Sequence, residues 1–486
     1  MPRSSSRAER PRGERALTLG VFAAVLLLDL AWRSRLFNFD GVACAIAVEL
    51  GDFKHLVHGN HLAYGALGWL FDRAWRLLGW RGRALLPLQV LDSLLGAAGA
   101  AVFASLLRRS GRSVREAALG AAALAVSQAW WLWSLEAQVY MLGALFAALA
   151  AREALAERPR GAVVGALEAG AVLGHVGHLM ALPALAWLVS RRRGRAELKP
   201  LAAVLAGTLA AAYLAAGVLA VRPGTWRELS LWLLGSAALG PGRSFGWHSS
   251  APLTAVVAWL SMTLRVFCDF VGRAGFWRAA AVVLALLPLS AAALGARRGG
   301  ERARFWLLWL AGYAVLYLSW EPGTIVYRVS DLLGLWALAL LGLDALAPPL
   351  AAAALAAWTA AALAFNLAFT VLPAARPNRV EEDVRWDCAR VPPDAWLIAD
   401  GADEVYVPFF GGRRPLELRY VPNEPLLFAR LDALAARGEP VFIDGRMLDQ
   451  TALRAALTRY GMTLAASEGG RDLYRVARPA GRERNE

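Results

Sequence analysis

The chain has 486 residues, 58% of them hydrophobic, and a mean hydropathy of +0.43. Soluble domains contain about 45–50% apolar residues, so this composition excludes an ordinary soluble protein and indicates a membrane protein. The net charge of +14 comes from arginines beside apolar runs, where they set membrane orientation, and not from a basic soluble segment that would bind nucleic acid.

The N-terminal residues 1–15 carry five arginines and precede the apolar run 16–33. This run lacks a small-residue cleavage site, so it predicts an uncleaved first helix. Apolar runs near the length of a membrane span recur along the chain. They predict about eleven transmembrane helices, at 16–33, 84–107, 116–134, 139–155, 161–174, 176–190, 199–221, 276–296, 303–320, 329–346 and 349–373.

Five basic clusters separate these runs, and all fall on one side if only the eleven helices cross. By the positive-inside rule, this side is the cytoplasm, so residues 1–15 are cytoplasmic and the C-terminal end lies outside. The segments 61–80 and 252–273 are predicted as amphipathic helices at the outer interface, within long outer loops. These outer loops are 34–83 and 222–275.

The C-terminal residues 374–486 have a soluble composition, in contrast to the transmembrane domain 16–373. Strand-like and helix-like runs alternate there, which predicts a small extracytoplasmic α/β domain. The strand-like runs are Trp396–Ala399, Val405–Phe410, Leu416–Val421, Val441–Asp444 and Leu473–Val476, and the helix-like runs are 424–437 and 448–460.

Polar chemistry is concentrated on the predicted outer side of the membrane. All the histidines map there, together with several charged residues, whereas the cytoplasmic loops hold mostly arginine and glycine. This asymmetry predicts a site at the outer face. The residues are His55, His58, His61, His175, His178, His248, Asp40, Glu136, Glu321 and Arg328.

Five segments resemble GT-C glycosyltransferases, closest to the bacterial protein O-mannosyltransferase-like (DUF2723-type) branch. FNFDG at 37–41 and HGNHLAY at 58–64 resemble its first outer loop. WLWSLEAQVY at 131–140, LGHVGHL at 173–179, and Trp320-Glu321-Pro322 with Arg328 resemble later segments in the same order. The resemblance implies a GT-C-like membrane fold that transfers a sugar from a polyprenyl-phosphate donor to an extracytoplasmic acceptor: a protein hydroxyl, a glycan or a lipid.

The resemblance gives Asp40 the role of the base that accepts the proton of the acceptor hydroxyl. The alternative is a solvated loop acid that caps the following helix. Glu136 lies among tryptophans near hydrocarbon, where an acid needs a partner. It could bind a divalent cation, orient the acceptor or pair with an arginine, or be an interfacial glutamate facing water.

His175 and His178 share one face if their segment is helical. They could hydrogen-bond the donor phosphate, ligate a metal, or satisfy polar groups at a break between short helices. His58, Tyr64, Tyr140 and Glu321 are expected at the substrate because they lie in the matched segments. The spacing of His55, His58 and His61 is not completed by a cysteine or paired acid, so no metal site is predicted.

Arg328 could grip a phosphate with two parallel hydrogen bonds, or extend as an interfacial arginine towards water. The function that these residues favour is glycosyl transfer in a bacterial inner membrane. A transporter or flippase and a non-catalytic envelope assembly protein remain alternatives. A transporter predicts paired repeats and polar residues at the membrane centre.

Overall fold

The computed structural model describes residues 10–234, 252–418 and 423–477. His248 therefore lies outside the described residues, as does the end of the predicted strand Leu416–Val421. The chain forms two compact units, one comprising residues 1–34 and 47–375 and the other residues 35–46 and 376–486.

The first unit is helical. The helices, of which α2 begins in the second unit, are α1 Arg10–Ala31, α2 Phe39–Leu50, α3 Phe53–Leu56, α4 Leu62–Leu77, α5 Leu85–Arg109, α6 Val114–Val126, α7 Gln128–Ser134, α8 Tyr140–Ala154, α9 Gly161–Gly174, α10 Leu182–Arg193, α11 Leu198–Ala216, α12 Trp226–Leu234, α13 Pro252–Arg265, α14 Gly275–Arg298, α15 Gly300–Ser319, α16 Val329–Leu343, α17 Pro348–Asn366 and α18 Leu372–Ala374. The most extensive helix–helix contacts are those of α14 with α16, α8 with α9, α1 with α5 and α11 with α9.

Each predicted span contains a helix, because long apolar runs satisfy their backbone hydrogen bonds internally. Five helical stretches among the described residues are long and apolar enough to cross a membrane: Leu85–Arg109, Arg195–Val221, Gly275–Arg298, Ile325–Leu343 and Pro348–Arg390. The membrane character predicted from composition agrees with this finding. The count of eleven spans stays a prediction.

The predicted span 116–134 is two helices, because the chain is extended at Ser127 between α6 and α7. A break in an apolar environment leaves backbone groups that need partners within the protein. The buried Asn366 supplies them, since its amide donates to the carbonyls of Val126 and Phe267 at 2.8 Å each. The Gln128 N–H donates to the Phe267 carbonyl at 3.0 Å.

The basic loops meet at one end of the first unit, which is what the predicted orientation requires. Side chains from one loop bind groups on the next, so the clusters share an end although they are far apart in sequence. The contacts are Arg152 with Glu14 (3.5 Å), Arg192 with Glu301 (2.9 Å) and with the Leu155 carbonyl (2.5 Å), and Arg302 with the Ser110 carbonyl (2.7 Å).

The second unit is an α/β structure around a five-stranded sheet. Its elements are α19 Arg379–Arg390, β1 Trp396–Ala399, α20 Asp403–Gly411, β2 Arg414–Glu417, α21 Glu424–Ala436, β3 Val441–Asp444, α22 Thr451–Tyr460, β4 Met462–Glu468 and β5 Arg471–Val476. The strand order is β2-β1-β3-β5-β4; β1 pairs in parallel with β2 and β3, whereas β5 is antiparallel to β3 and β4.

The prediction of a strand at Val405–Phe410 was wrong, because these residues form α20. Their β-branched and aromatic side chains favour strands locally. Tertiary structure overrides this preference, since a parallel pair of strands needs a crossover, here the helix between β1 and β2. Asp403 and Glu404 lie in the first turn, where carboxylates stabilise a helix.

Asp403 makes the stability of the second unit depend on pH. Its carboxyl group is mostly buried, 3.8 Å from Arg446, and burial raises its pKa to about 6. The folded state therefore holds this proton more tightly than the unfolded chain, so its contribution to stability is lost as pH rises from about 4 to 6.

We expect Asp403→Asn to gain stability over wild type between pH 4 and 6 and to keep that gain above pH 6. The measurement is labelling of the buried Cys388 thiol during thermal unfolding, in a Cys44→Ser, Cys268→Ser background. Comparing the two proteins at each pH cancels the pH dependence of the labelling reaction. A difference independent of pH would contradict the prediction.

Candidate functional site

A cavity of about 260 Å³ opens in the first unit between α8, α15, α16 and the segment that follows α9. No described residue that lines it is a lysine, arginine, aspartate or glutamate. Its described lining residues are Asn60, Tyr140, His175, Val176, Gly177, His178, Leu179, Met180, Leu233, Leu234, Tyr313, Leu316, Tyr317, Trp320, Val326, Tyr327, Val329 and Ser330.

Aromatic rings form much of the cavity wall. Tyr140 lies 4.9 Å from His175 and 5.5 Å from Tyr327, between ring centroids. Tyr313 and Tyr317 stack at 5.8 Å because residues four apart share one face of α15. The wall therefore presents ring faces and hydroxyl groups but no fixed charge among the residues that the structure describes.

The connection after α9 brings two predicted site residues to the cavity. The helix ends at Gly174, and a 3₁₀ helix spans Val176–Ala181. The Val176 N–H donates to the Asn60 carbonyl at 2.8 Å, which ties this connection to the first outer loop. The segments 58–64 and 173–179, distant in sequence, thus meet beside Tyr140.

His178 lies in this 3₁₀ helix, and its side chain is buried. Its Nδ1 lies 2.7 Å from the Tyr313 hydroxyl, and its ring packs directly on Gly143 of α8. A Cβ atom at Gly143 would lie 2.4 Å from His178 Nε2 and 2.5 Å from Cδ2, closer than real contacts allow. Gly143 is therefore required for the position of the His178 ring.

We expect Gly143→Ala to displace the His178 ring and to lower donor turnover by about tenfold or more, because a small misplacement in a site has a large kinetic effect. Gly170→Ala is the matched control, since its Cβ would press on Phe146 in the same α8–α9 interface without touching a cavity residue. Both variants are overpacked and should lose about 1–3 kcal/mol of stability. Equal activities for the two would contradict this prediction.

Glu136 and Asp92 form a buried acidic network near the start of α8. The Ser34 hydroxyl donates to Glu136, and Asp92 accepts from the Tyr64 hydroxyl and, at 2.7 Å, from the Gln138 N–H. Tyr64, a predicted substrate residue, is fully buried and is bound to Asp92. The direct contact of Glu136 or Tyr64 with substrate stays a prediction.

Asp40 belongs to the second unit, in the first turn of α2. The segment before it is held by the C-terminal residues: the Tyr406 hydroxyl and the Asn378 amide donate to the Leu36 carbonyl at 2.8 and 2.7 Å. Phe37 has a left-handed φ of 50°, which costs about 1–3 kcal/mol in a non-glycine residue. Asn378 and Tyr406 therefore fix the conformation of the chain just before Asp40.

Asn378→Asp should release this segment without removing the cap of α19. The Asn378 Oδ1 accepts from the N–H groups of Val380 and Glu381, and aspartate caps equally well, but its carboxylate would repel the Leu36 carbonyl. We expect proteolysis within 35–40 to accelerate several-fold while the melting temperature changes little. Unchanged cleavage would show that the amide does not hold the segment.

Glu321 and Arg328 flank the end of the cavity formed by Trp320 and Tyr327. Glu321 has a left-handed φ of 44°, a strained conformation of the kind that clusters at functional sites. Arg328 is buried and pairs with Asp331, and it donates to the Trp259 carbonyl at 3.1 Å and the Thr263 hydroxyl at 2.8 Å. These bonds use the guanidinium within the protein, and they favour a structural role.

Sequence reasoning did not single out Asn60, Tyr313, Tyr317 or Tyr327. The chain contains only ten tyrosines, and four of them line the cavity, so tyrosine is enriched there. The spacing of Tyr313 and Tyr317 in an apolar helix was a signal that could have been used. Among the described residues no group of histidine, cysteine or acid side chains is arranged to hold a metal ion.

No family model and no curated protein sequence matches the chain. Among solved structures, ArnT from Cupriavidus metallidurans bound to undecaprenyl phosphate is similar, with a TM-score of 0.62 and 16% identity over 96% of this chain and 99% of its own. ArnT from the same organism in the apo state gives a TM-score of 0.63 and 14% identity over 97% and 100%. The chain therefore has an ArnT-like fold over nearly its whole length.

Proposed function

We propose that this protein is a GT-C-type membrane glycosyltransferase that moves a sugar from a polyprenyl-phosphate donor to an extracytoplasmic acceptor. ArnT is a GT-C glycosyltransferase, and one of the two similar structures holds undecaprenyl phosphate. The likeness in fold supports a polyprenyl-linked transferase, although fold alone does not specify function.

The aromatic cavity is the observation that carries the proposal. Its described wall has no charged side chain, and ring faces pack well against the C–H groups of a sugar while the hydroxyls and imidazoles bond its polar groups. His175, His178 and Tyr140, expected at the substrate from the resemblance, line it. A small neutral sugar fits this aromatic, uncharged lining better than a transported ion would.

In the proposed reaction, the oxygen of the acceptor attacks the anomeric carbon of the donor sugar. The bond between this carbon and the phosphate oxygen breaks, and the electron pair leaves with polyprenyl phosphate. Asp40 accepts the proton of the acceptor hydroxyl, which makes the oxygen a better nucleophile as the bond forms. No redox step or further co-reactant is required.

The finer assignment follows the resemblance to the O-mannosyltransferase-like branch. It implies a hexose as the transferred sugar and a protein hydroxyl, a glycan or a lipid as the acceptor. We place the protein in a bacterial inner membrane, with the N-terminus in the cytoplasm and the C-terminal unit in the periplasm. The single end at which the basic loops meet supports an orientation of this kind.

The test is conversion of a polyprenyl-phosphate-linked hexose to polyprenyl phosphate by the purified protein in liposomes that contain a crude envelope acceptor fraction, followed by mass spectrometry. Leu316→Trp, which fills the cavity, should abolish conversion. Val315→Trp is its matched control, because the adjacent Val315 side chain is 67% exposed on the outside of α15.

Conversion by wild type and Val315→Trp but not by Leu316→Trp would support the transferase. Movement of the intact donor across the bilayer without conversion would favour the flippase alternative. Neither conversion nor movement, with the protein folded, would contradict the transferase and leave the assembly role.

A further inference from the structure

Three histidines form a cluster beside the cavity. The rings of His58 and His61 stack at 4.3 Å with an angle of 10° between their planes, and the two residues form an isolated antiparallel bridge. The bond from the Val176 N–H to Asn60 brings His175 against this pair. The cluster is therefore built by backbone pairing and not by flexible surface side chains.

The hydrogen bonds assign most of the cluster's nitrogen atoms. His58 Nδ1 accepts from the Asn60 N–H at 3.2 Å, and His175 Nδ1 accepts from the Gly177 N–H at 3.1 Å. Each neutral ring therefore carries its proton on Nε2 and can donate from there. His61 Nδ1 is different, because it is buried and has no hydrogen-bond partner among the described residues.

The surroundings of the three rings disfavour their protonated forms. Burial, and then the neighbouring His58 and His175, hold the pKa of His61 well below its usual range. Burial, and then His58, lower the pKa of His175 to about 4. An anion bound between these rings would raise the pKa values of the histidines, since a neighbouring negative charge favours the protonated imidazole.

One helix begins at the cluster, and its positive end favours an anion there. Helix α4 starts directly after His61, and its N-terminus has no side-chain cap among the described residues. At the start of α8, where the Tyr140 ring contacts His175, the Asp92 carboxylate already accepts from the Gln138 N–H at 2.7 Å. Partial positive charge and unused N–H groups at helix N-termini attract phosphate groups.

The described cavity wall contains no lysine or arginine, so its residues offer a phosphate no permanent positive charge. Arg328 lies behind the Tyr317 ring and is paired with Asp331. Titratable groups also lie on the elements around the cluster. Among the described residues they include Lys54, His55, Tyr64, Asp92, Glu136, Tyr140, His178, Tyr213, Glu228, Tyr313, Tyr317, Glu321 and Tyr327. Of these, only a histidine can gain a positive charge.

We propose that His61, together with His58 and His175, binds the phosphate group of the lipid donor and takes up a proton as it does so. The proton places an N–H donor and a positive charge against the phosphate oxygens, and it satisfies the orphaned His61 nitrogen. The proposal rests on the proposed function, since it identifies the part of that site which holds the phosphate.

The test measures proton uptake by calorimetry in buffers that differ in ionisation enthalpy. The probe is a methyl ester of a ten-carbon prenyl phosphate, a diester whose single charge does not titrate near neutral pH. We expect wild type to take up about one proton per probe and its Kd to rise by about tenfold per pH unit between pH 6 and 8. Binding without proton uptake would overturn the proposal.

His61→Gln should lose the proton uptake and bind the probe at least about tenfold more weakly at pH 6. His55→Gln is the matched control, because His55 lies on the same segment but is exposed and paired with Asp52. It should behave as wild type. If His61→Gln fails to fold, the uptake measured with wild type alone decides the question.

Inorganic phosphate serves as a second probe, to separate a lipid-phosphate site from a site for the free ion. Tight binding of inorganic phosphate with equal proton uptake would reject the lipid donor as the specific ligand. Sugar transfer without probe-linked proton uptake would reject this inference and leave the transferase standing. Proton-linked binding of the probe without sugar transfer would support this inference and contradict the proposed transferase function.

Discussion

Asp40→Asn is expected to lower the turnover of sugar transfer by about 10²–10⁴-fold, because asparagine keeps the size of the side chain but cannot accept the proton of the acceptor. The KM for the donor should change little, since the proposed role of Asp40 concerns the acceptor. Steady-state conversion of the polyprenyl-linked hexose at several donor concentrations separates the two quantities.

Asp52→Asn provides the control. Asp52 is an exposed acid in the same outer loop, where it accepts a hydrogen bond from the Lys54 N–H at 3.0 Å and caps the short helix α3. Asparagine retains that cap, so turnover should stay within about twofold of wild type. If Asp40→Asn kept more than a tenth of wild-type turnover, Asp40 would not be the base.

Arg328→Met is expected to destabilise the first unit by about 3–5 kcal/mol, because it leaves Asp331 charged and buried without its partner. The bonds from Arg328 to Trp259 and Thr263 also join α13 to the start of α16, and they are lost together. Unfolding of the purified protein in detergent by added sodium dodecyl sulfate measures the loss.

The double variant Arg328→Met, Asp331→Leu should recover most of the stability, since an apolar pair of similar volume replaces a buried ion pair at little cost. Transfer activity then distinguishes the two interpretations of Arg328. Recovery of activity with stability indicates a structural pair. A stable double variant with at least about tenfold weaker donor binding would instead support the predicted role of Arg328 in phosphate binding.

The helices were predictable because their signal is local and repeated. The predicted span 161–174 is α9 to the residue, and 139–155 differs from α8 by one residue at each end. Elsewhere a single distant residue decides where a helix breaks, and a local sequence pattern does not show it. The break at Ser127 lies in the middle of an apolar run, and it persists because Asn366, far along the chain, bonds the freed carbonyl.

The candidate site was predictable in part. Family-like segments identified His58, Tyr140, His175 and His178, and the structure gathers their loops beside one cavity. The orphaned nitrogen of His61 could not be inferred, because it depends on which groups pack against the ring. Nor could the fact that the segment before Asp40 is held by Asn378 and Tyr406, more than 340 residues later.

Composition and charge were enough to indicate a membrane protein and to place a helix within each predicted span, because hydrocarbon requires long apolar runs with internal hydrogen bonds. Which polar groups pair with one another is decided only by the tertiary structure. Asp92 with Tyr64 and Arg328 with Thr263 join side chains 28 and 65 residues apart. A lone polar residue in an apolar helix has no periodic signal, so its partner is decided by how the helices rotate and pack against each other.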